Sequence, residues 1–275
     1  MTRIPISPPP IKRVVAIASI VVGCLVSPLP TYSQPTNSAN NTPSLQDMLE
    51  FNLDLSGRGS PRSGNRTGGA SRNDCKVDQS GQSGEPLFAL IPDTNLGLTV
   101  EEHPTFWFYI PDGANTFHSM KFALWSDQGQ KVYETTYPVT NALPGVMSIA
   151  LPPNTPALKE NQYYNWIFTV YCEDPQQATV RSDPKRVRVR GFIQRVPVTA
   201  ELQQGLNRAL TPRDRAVILA RNGIWFDSLT LIGNLRRTQS ANYALAMDWS
   251  NLLEDIELEA IASKPITECC SASAR

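Results

Sequence analysis

The sequence predicts a β-rich α+β protein: an immunoglobulin-like antiparallel β-sandwich followed by a small α-helical hairpin domain. Two observations carry this. Between Leu87 and Val196, apolar residues come in short runs punctuated by Pro, Gly, Asn and Asp, as at Pro111-Asp112-Gly113 and Asp127-Gln128-Gly129, with no long helical period between them. From Thr199 onward the period becomes helical.

Eight strands are predicted: Leu87–Ile91, Leu96–Glu101, Thr105–Ile110, His118–Ser126, Lys131–Tyr137, Val146–Leu151, Tyr163–Cys172 and Arg186–Val196. That number of short strands favours two stacked antiparallel sheets. The clearest is Tyr163–Cys172, where Tyr164, Trp166, Phe168, Val170 and Cys172 alternate onto one face. Trp107, Trp125 and Trp166 read as core aromatics, with Trp107 or Tyr109 as the sharper alternative of a ligand-binding aromatic shelf. In Arg186–Val196, alternation puts Arg186, Arg188 and Arg190 on one face and Val187 and Val189 toward the core. Such a stripe suits an anionic surface, or else it is a charged edge strand that discourages aggregation.

The helical part begins with Leu202, Leu206, Ala209 and Leu210 at i, i+4, i+7 and i+8. Thr211-Pro212-Arg213-Asp214 then offers a Thr N-cap, Pro at N1 and an acid at N3. Asn222-Gly223 stops that helix, Trp225, Leu229, Ile232 and Leu235 line the next, and Ser240 is placed to cap a last one. The predicted divisions are therefore a signal peptide (1–33), a disordered Gly/Ser/Arg-rich linker with a short helix near 44–55 (34–74), the sandwich (75–197), the helical hairpins (198–263) and a disordered tail (264–275).

The N-terminus has the parts of a secretory signal: basic Lys12-Arg13, an apolar run of 13 residues from Val14 to Val26, and small residues before Gln34. A competing reading makes Val21-Val22-Gly23-Cys24 a lipobox with a lipidated Cys24. Both place the protein outside the cytoplasm, in the periplasm or secreted. An oxidising compartment makes Cys75 with Cys172 the natural disulfide, the alternative being two buried thiols. Closing that loop is worth roughly 4–5 kcal/mol in the chain-entropy picture. Cys269-Cys270 lie in the polar tail.

Charge narrows the function. The 25 Lys+Arg and 25 Asp+Glu cancel, but the first 33 residues hold three basic groups and no acid, leaving a mildly acidic remainder. A strongly basic nucleic-acid binder is excluded. Two histidines leave little room for His-based catalysis. No GxSxG, P-loop, GxGxxG or HExxH is present, and Glu101-Glu102-His103 cannot converge on one ion when neighbours on a strand point opposite ways.

Several strings taken in order resemble a family of extracytoplasmic cyanobacterial proteins known as domain of unknown function 928. They are the Gly/Arg stretch ending in Cys75, ALIPDTNLGLTVEEHPTFWFYIP (Ala89–Pro111), LPGVMSIALP (Leu143–Pro152), YYNWIFTVYC (Tyr163–Cys172), VRGFIQRV (Val189–Val196) and RNGIWFDSLTLIGNLRR (Arg221–Arg237). The resemblance implies secretion and the sandwich-plus-helices layout, and brings no catalytic residue. The resulting expectation is a non-enzymatic interaction protein of the cell envelope, without cofactor or metal, binding an envelope protein or an anionic glycan. Membrane attachment would come only through an uncleaved signal or lipidated Cys24. A carbohydrate-binding module using Trp107 or Tyr109 and an envelope hydrolase are the alternatives.

Overall fold

The computed structural model describes residues 64–68, 86–111, 117–139, 144–177 and 184–267. All fall in one of the chain's two units, Pro43–Arg275; the other, Met1–Thr42, lies outside the described residues, as do the expected signal, the helix near 44–55, Cys24, Cys75, Cys269 and Cys270. The fold is mixed α+β. Strands β1 (Thr67–Gly68), β2 (Leu87–Ala89), β4 (Thr105–Ile110) and β7 (Gly145–Ala150) form a four-stranded sheet in the order β1-β2-β4-β7. Strands β3 (Leu96–Thr99), β9 (Arg186–Arg195), β8 (Tyr163–Tyr171), β5 (Ser119–Ser126) and β6 (Lys131–Pro138) form a five-stranded sheet in that order. Helices α1 (Ala200–Arg208), α2 (Pro212–Arg221), α3 (Trp225–Thr238), α4 (Tyr243–Glu254) and α5 (Glu259–Ala262) follow.

The eight expected strands all form, within a few residues of their expected ends. The pairing is antiparallel except for one ladder: β3 runs parallel to β9, with Leu96 opposite Phe192 and Thr99 opposite Arg195. The sheets meet face to face through aromatic rings. Phe108 of β4 stacks on Phe168 of β8 at 4.2 Å between centroids, and Phe106 lies 4.7 Å from Phe122 of β5. Tyr164, 4% exposed, takes a hydrogen bond from the Lys159 amide at 2.8 Å, pinning the turn that leads into β8.

The helices do not stand apart as a separate domain. One continuous buried cluster runs from Phe122 and Trp166 through β4 to Trp225, Phe226, Ile232, Trp249 and Leu252. The physical reason lies in β4, whose residues Phe106 to Ile110 are all buried. Phe106 and Phe108 face the other sheet, while Trp107 faces the helices, 5.8 Å from the Trp249 ring and donating its Nε1–H to the Thr230 hydroxyl at 3.0 Å. Gly233 makes that approach feasible, because a Cβ there would collide with the Trp107 ring. Likewise a Cβ on Gly97 of β3 would collide with Phe226, which wedges α3 against the five-stranded sheet. A smaller cluster of Leu98, Leu202, Leu206, Leu219 and Ile224 seats α1 and α2 on β3.

Two segments expected to be disordered are ordered in part. In the predicted linker, Thr67 and Gly68 pair with β2, and Asn65 bridges Arg190. This piece buries little apolar surface, but Arg66 donates to the Ile256 carbonyl at 2.5 Å and the Ile91 carbonyl at 3.3 Å, and pairs with Glu257. In the predicted tail, Ile266 bridges Val146, and the Val146 amide donates to the Pro265 carbonyl. Backbone pairing orders both segments where side-chain hydrophobicity gave no signal.

The helix ends follow local chemistry. Thr199 caps α1 through the Leu202 amide, and Thr211 with Asp214 forms a reciprocal capping box behind Pro212. The last long helix starts later than expected: Asn242, not Ser240, accepts from the Leu245 amide. Helix α1 stops at Arg208, so Leu210 falls outside it and is 93% exposed. Between α2 and α4, Arg213 grips the fully buried Asp248 with both Nε (2.5 Å) and Nη2 (2.8 Å). Removing one partner of such a pair strands a buried charge. We expect Arg213→Ala to cost about 3–5 kcal/mol in urea unfolding, and the double variant Arg213→Met, Asp248→Leu to regain most of it.

Candidate functional site

Two regions carry side chains that the core does not consume. The first is the outer face of the five-stranded sheet. Register builds it row by row: Arg190 of β9 beside Ile167 of β8 and Ala123 of β5, then Arg188 beside Thr169 and Lys121. Val187 and Val189 point inward and are buried, while Arg188 and Arg190 are exposed and Arg186 is half-buried, as strand alternation requires. Lys121 is neutralised by Glu134 at 3.1 Å, and the two lysines beside Glu134, Lys121 first, hold its carboxyl below the usual range. No carboxylate among the described residues pairs with Arg188 or Arg190. Trp125 and Ile167 on the same face are half-buried. β9 lies between β3 and β8, but β3 pairs only with Phe192–Arg195, so the stripe sits on a stretch laddered to β8 on one side and met on the other by the single Asn65 bridge at Arg190.

The aromatic shelf is absent. Trp107 and Tyr109 are each 1% exposed, because α3 and α4 cover the sheet face from which they project. Trp107 is thus the core aromatic of the first reading, and the alternative of a ligand shelf at Trp107 or Tyr109 is overturned by this burial. Cys172, just past β8, packs partly buried against the core.

The second region is a cavity of about 250 Å³ where the β3–β4 connection meets α1, α2 and α3. Its wall includes Val100, Glu101, His103, Leu206, Arg215, Leu219, Phe226, Asp227 and Leu231. Arg195, at the end of β9, fixes the connection: it donates to the Val100 carbonyl at 3.2 Å and the Leu158 carbonyl at 2.7 Å, and meets Glu102 at 3.3 Å. Glu101 therefore sits between two tethered neighbours. The Thr99 hydroxyl accepts from its amide at 3.0 Å. His103 is held by the Thr155 carbonyl, 2.9 Å from Nε2, and Arg215 donates to the Leu206 carbonyl at 3.3 Å.

Asp227, in the first turn of α3, is the residue that sequence reasoning passed over. It is only 7% exposed, and neither carboxylate oxygen has a partner at full hydrogen-bonding geometry. Burial pushes its pKa up to about 7; the nearby Thr99 hydroxyl offsets part of this and Glu101 adds to it. The available sequence signal was an acid inside the otherwise apolar run Ile224-Trp225-Phe226-Asp227-Ser228-Leu229. Among the described residues no group of three or more His, Cys, Asp and Glu is arranged to hold a metal ion. No helix among them is long and apolar enough to cross a membrane.

These features define a mixed α+β protein of two facing sheets closed on one side by helices, with a cationic sheet face left open on the other. Residues 67–266 match the family described as Domain of Unknown Function (DUF928), and the chain belongs to that family. No curated protein matches it.

The raised Asp227 pKa sets a pH dependence. A carboxyl that is harder to ionise in the folded than in the unfolded chain stabilises the fold below its unfolded value near 4. That contribution is lost as pH rises through about 7. The shift corresponds to a loss of up to roughly 4 kcal/mol. Urea unfolding of wild type and Asp227→Asn across this range isolates it: the variant should gain on wild type steadily from pH 4 to pH 7 and then run parallel.

Proposed function

We propose that this chain is an extracytoplasmic, non-enzymatic interaction protein of the cell envelope, which docks an acidic surface of a partner protein on the open face of its five-stranded sheet. The observation that carries the reading is the exposed Arg188 and Arg190 beside half-buried Trp125 and Ile167. Arginine and aromatic side chains are the types enriched at protein interfaces, where they supply most of the binding energy. A protein partner is favoured over an anionic glycan because the face mixes apolar and cationic groups.

The strand order supports an immunoglobulin-like reading of the sheets. Pairing of β4 with β7, and the neighbours β9-β8-β5-β6, follow the B–E and G-F-C-C′ neighbours of that arrangement. The Tyr164 hydroxyl turned back on the Lys159 amide resembles its tyrosine corner. The extracytoplasmic address rests on the signal-like N-terminus and on a disulfide at Cys172. We assign its partner as Cys75. Peptide mapping without reductant should recover Cys75 linked to Cys172, and linkage of Cys172 to Cys269 or Cys270 would overturn the assignment.

The docking reading is tested by charge reversal. Cross-linking in isolated envelopes followed by mass spectrometry should capture a reproducible partner with an acidic surface. Arg188→Glu with Arg190→Glu should reduce that capture at least tenfold at low salt while circular dichroism stays native. Undiminished capture by the double variant would exclude this face.

A further inference from the structure

We infer that the cavity between the β3–β4 connection and helices α1 to α3 is a binding site for a small protonated amine carrying an apolar body, its ammonium held by the Asp227 and Glu101 side of the wall. The site is separate from the open sheet face, and the inference does not depend on the docking reading. Three features of the wall lead to it.

First, Asp227 is a buried carboxyl near the Thr99 hydroxyl and the Val100 amide, neither of which reaches its oxygens at full hydrogen-bonding geometry. A buried polar group left short of hydrogen bonds is costly, and more so when charged. An ammonium brings three donors and the compensating charge. Second, the sign of the wall selects a cation. The charged and titratable groups facing Asp227 across the cavity are Glu101 and His103 from the β3–β4 connection and Arg215 from α2, while α1 contributes the apolar Leu206. Two carboxylates face one guanidinium, and that guanidinium is already engaged by the Leu206 carbonyl. Third, the remainder of the wall is apolar: Val100, Leu206, Leu219, Phe226 and Leu231 would cover a hydrocarbon body. At about 250 Å³ the space exceeds what one or two waters fill and equals on the order of eight water-sized groups. That suits an amine of amino-acid size. Such an amine can be a free alkylamine or an amino acid, whose carboxylate would then reach Arg215.

The test uses the full chain and isothermal titration at pH 8 with three probes of one shape: isopentylamine, L-leucine and isovalerate. Isopentylamine should bind and isovalerate should not. Leucine binding more tightly than isopentylamine identifies an amino acid, with Arg215→Gln abolishing the difference, and the reverse order identifies a simple amine. Glu101→Gln, at an exposed position, should weaken isopentylamine at least tenfold with unchanged circular dichroism, and Asp227→Asn should abolish binding. Because protonation of Asp227 competes with the ligand, affinity for isopentylamine should fall about 30-fold between pH 8 and pH 5.5. Binding of isovalerate as tight as that of the amine would overturn the inference. So would no heat from either amine at millimolar concentration, or full retention of binding in Glu101→Gln and Asp227→Asn.

Discussion

The double burial of β4 is the constraint on which the rest of the molecule depends. A strand that is apolar on both faces must be covered on both. One face is met by Phe122 and Phe168 of the opposing sheet, and the other by Trp249 and the α3 backbone at Gly233. Each large side chain sealed in this way contributes about 1.5–3 kcal/mol. The helices are therefore a structural layer of the sandwich rather than an appendage. Their position also decides which sheet face stays open: the one bearing Arg188 and Arg190.

Covering β4 brings the start of α3 against the end of β3. Phe226 enters the space left by Gly97, and the next residue, Asp227, is carried into a place with little water. A carboxyl there is retained at a cost that packing alone does not explain, since Ser228 beside it finds a partner in the Ala216 carbonyl at 2.9 Å, whereas Asp227 has no donor at full hydrogen-bonding geometry. The contrast with Asp248 is instructive. Both acids are buried on helices, but Asp248 is matched by a two-pronged guanidinium and Asp227 is not.

Much of the fold was legible because strand alternation and turn punctuation are local signals. Tyr163–Tyr171 and Thr105–Ile110 announced themselves by pattern, and Thr211-Pro212-Arg213-Asp214 by capping chemistry. The stripe of Arg188 and Arg190 followed from period two. What was not legible depends on distant contacts. The apolar run of β4 read as core, Trp107 included, but what covers Trp107 was not legible, since Thr230 on α3 lies 123 residues downstream. Arg66 in a Gly/Ser-rich stretch carried no local sign of the carbonyl 190 residues away that fixes it. The cavity was invisible for the same reason, since its wall is drawn from the β3–β4 connection and three helices.

Strand β9 belongs to both regions. Its first half displays Arg188 and Arg190 on the open face, and its last residue, Arg195, secures the rim of the cavity through Val100 and Glu102. Arg195 also reaches Leu158, so a single guanidinium ties two separate stretches of backbone to the end of β9. Genetic dissection is constrained accordingly. A loss-of-function change at Arg195 would loosen the rim and the strand together, so a lesion there cannot assign a phenotype to either region. Changes confined to the side chains of Glu101 and Arg188 leave the Arg195 contacts with Val100, Glu102 and Leu158 in place and separate the two.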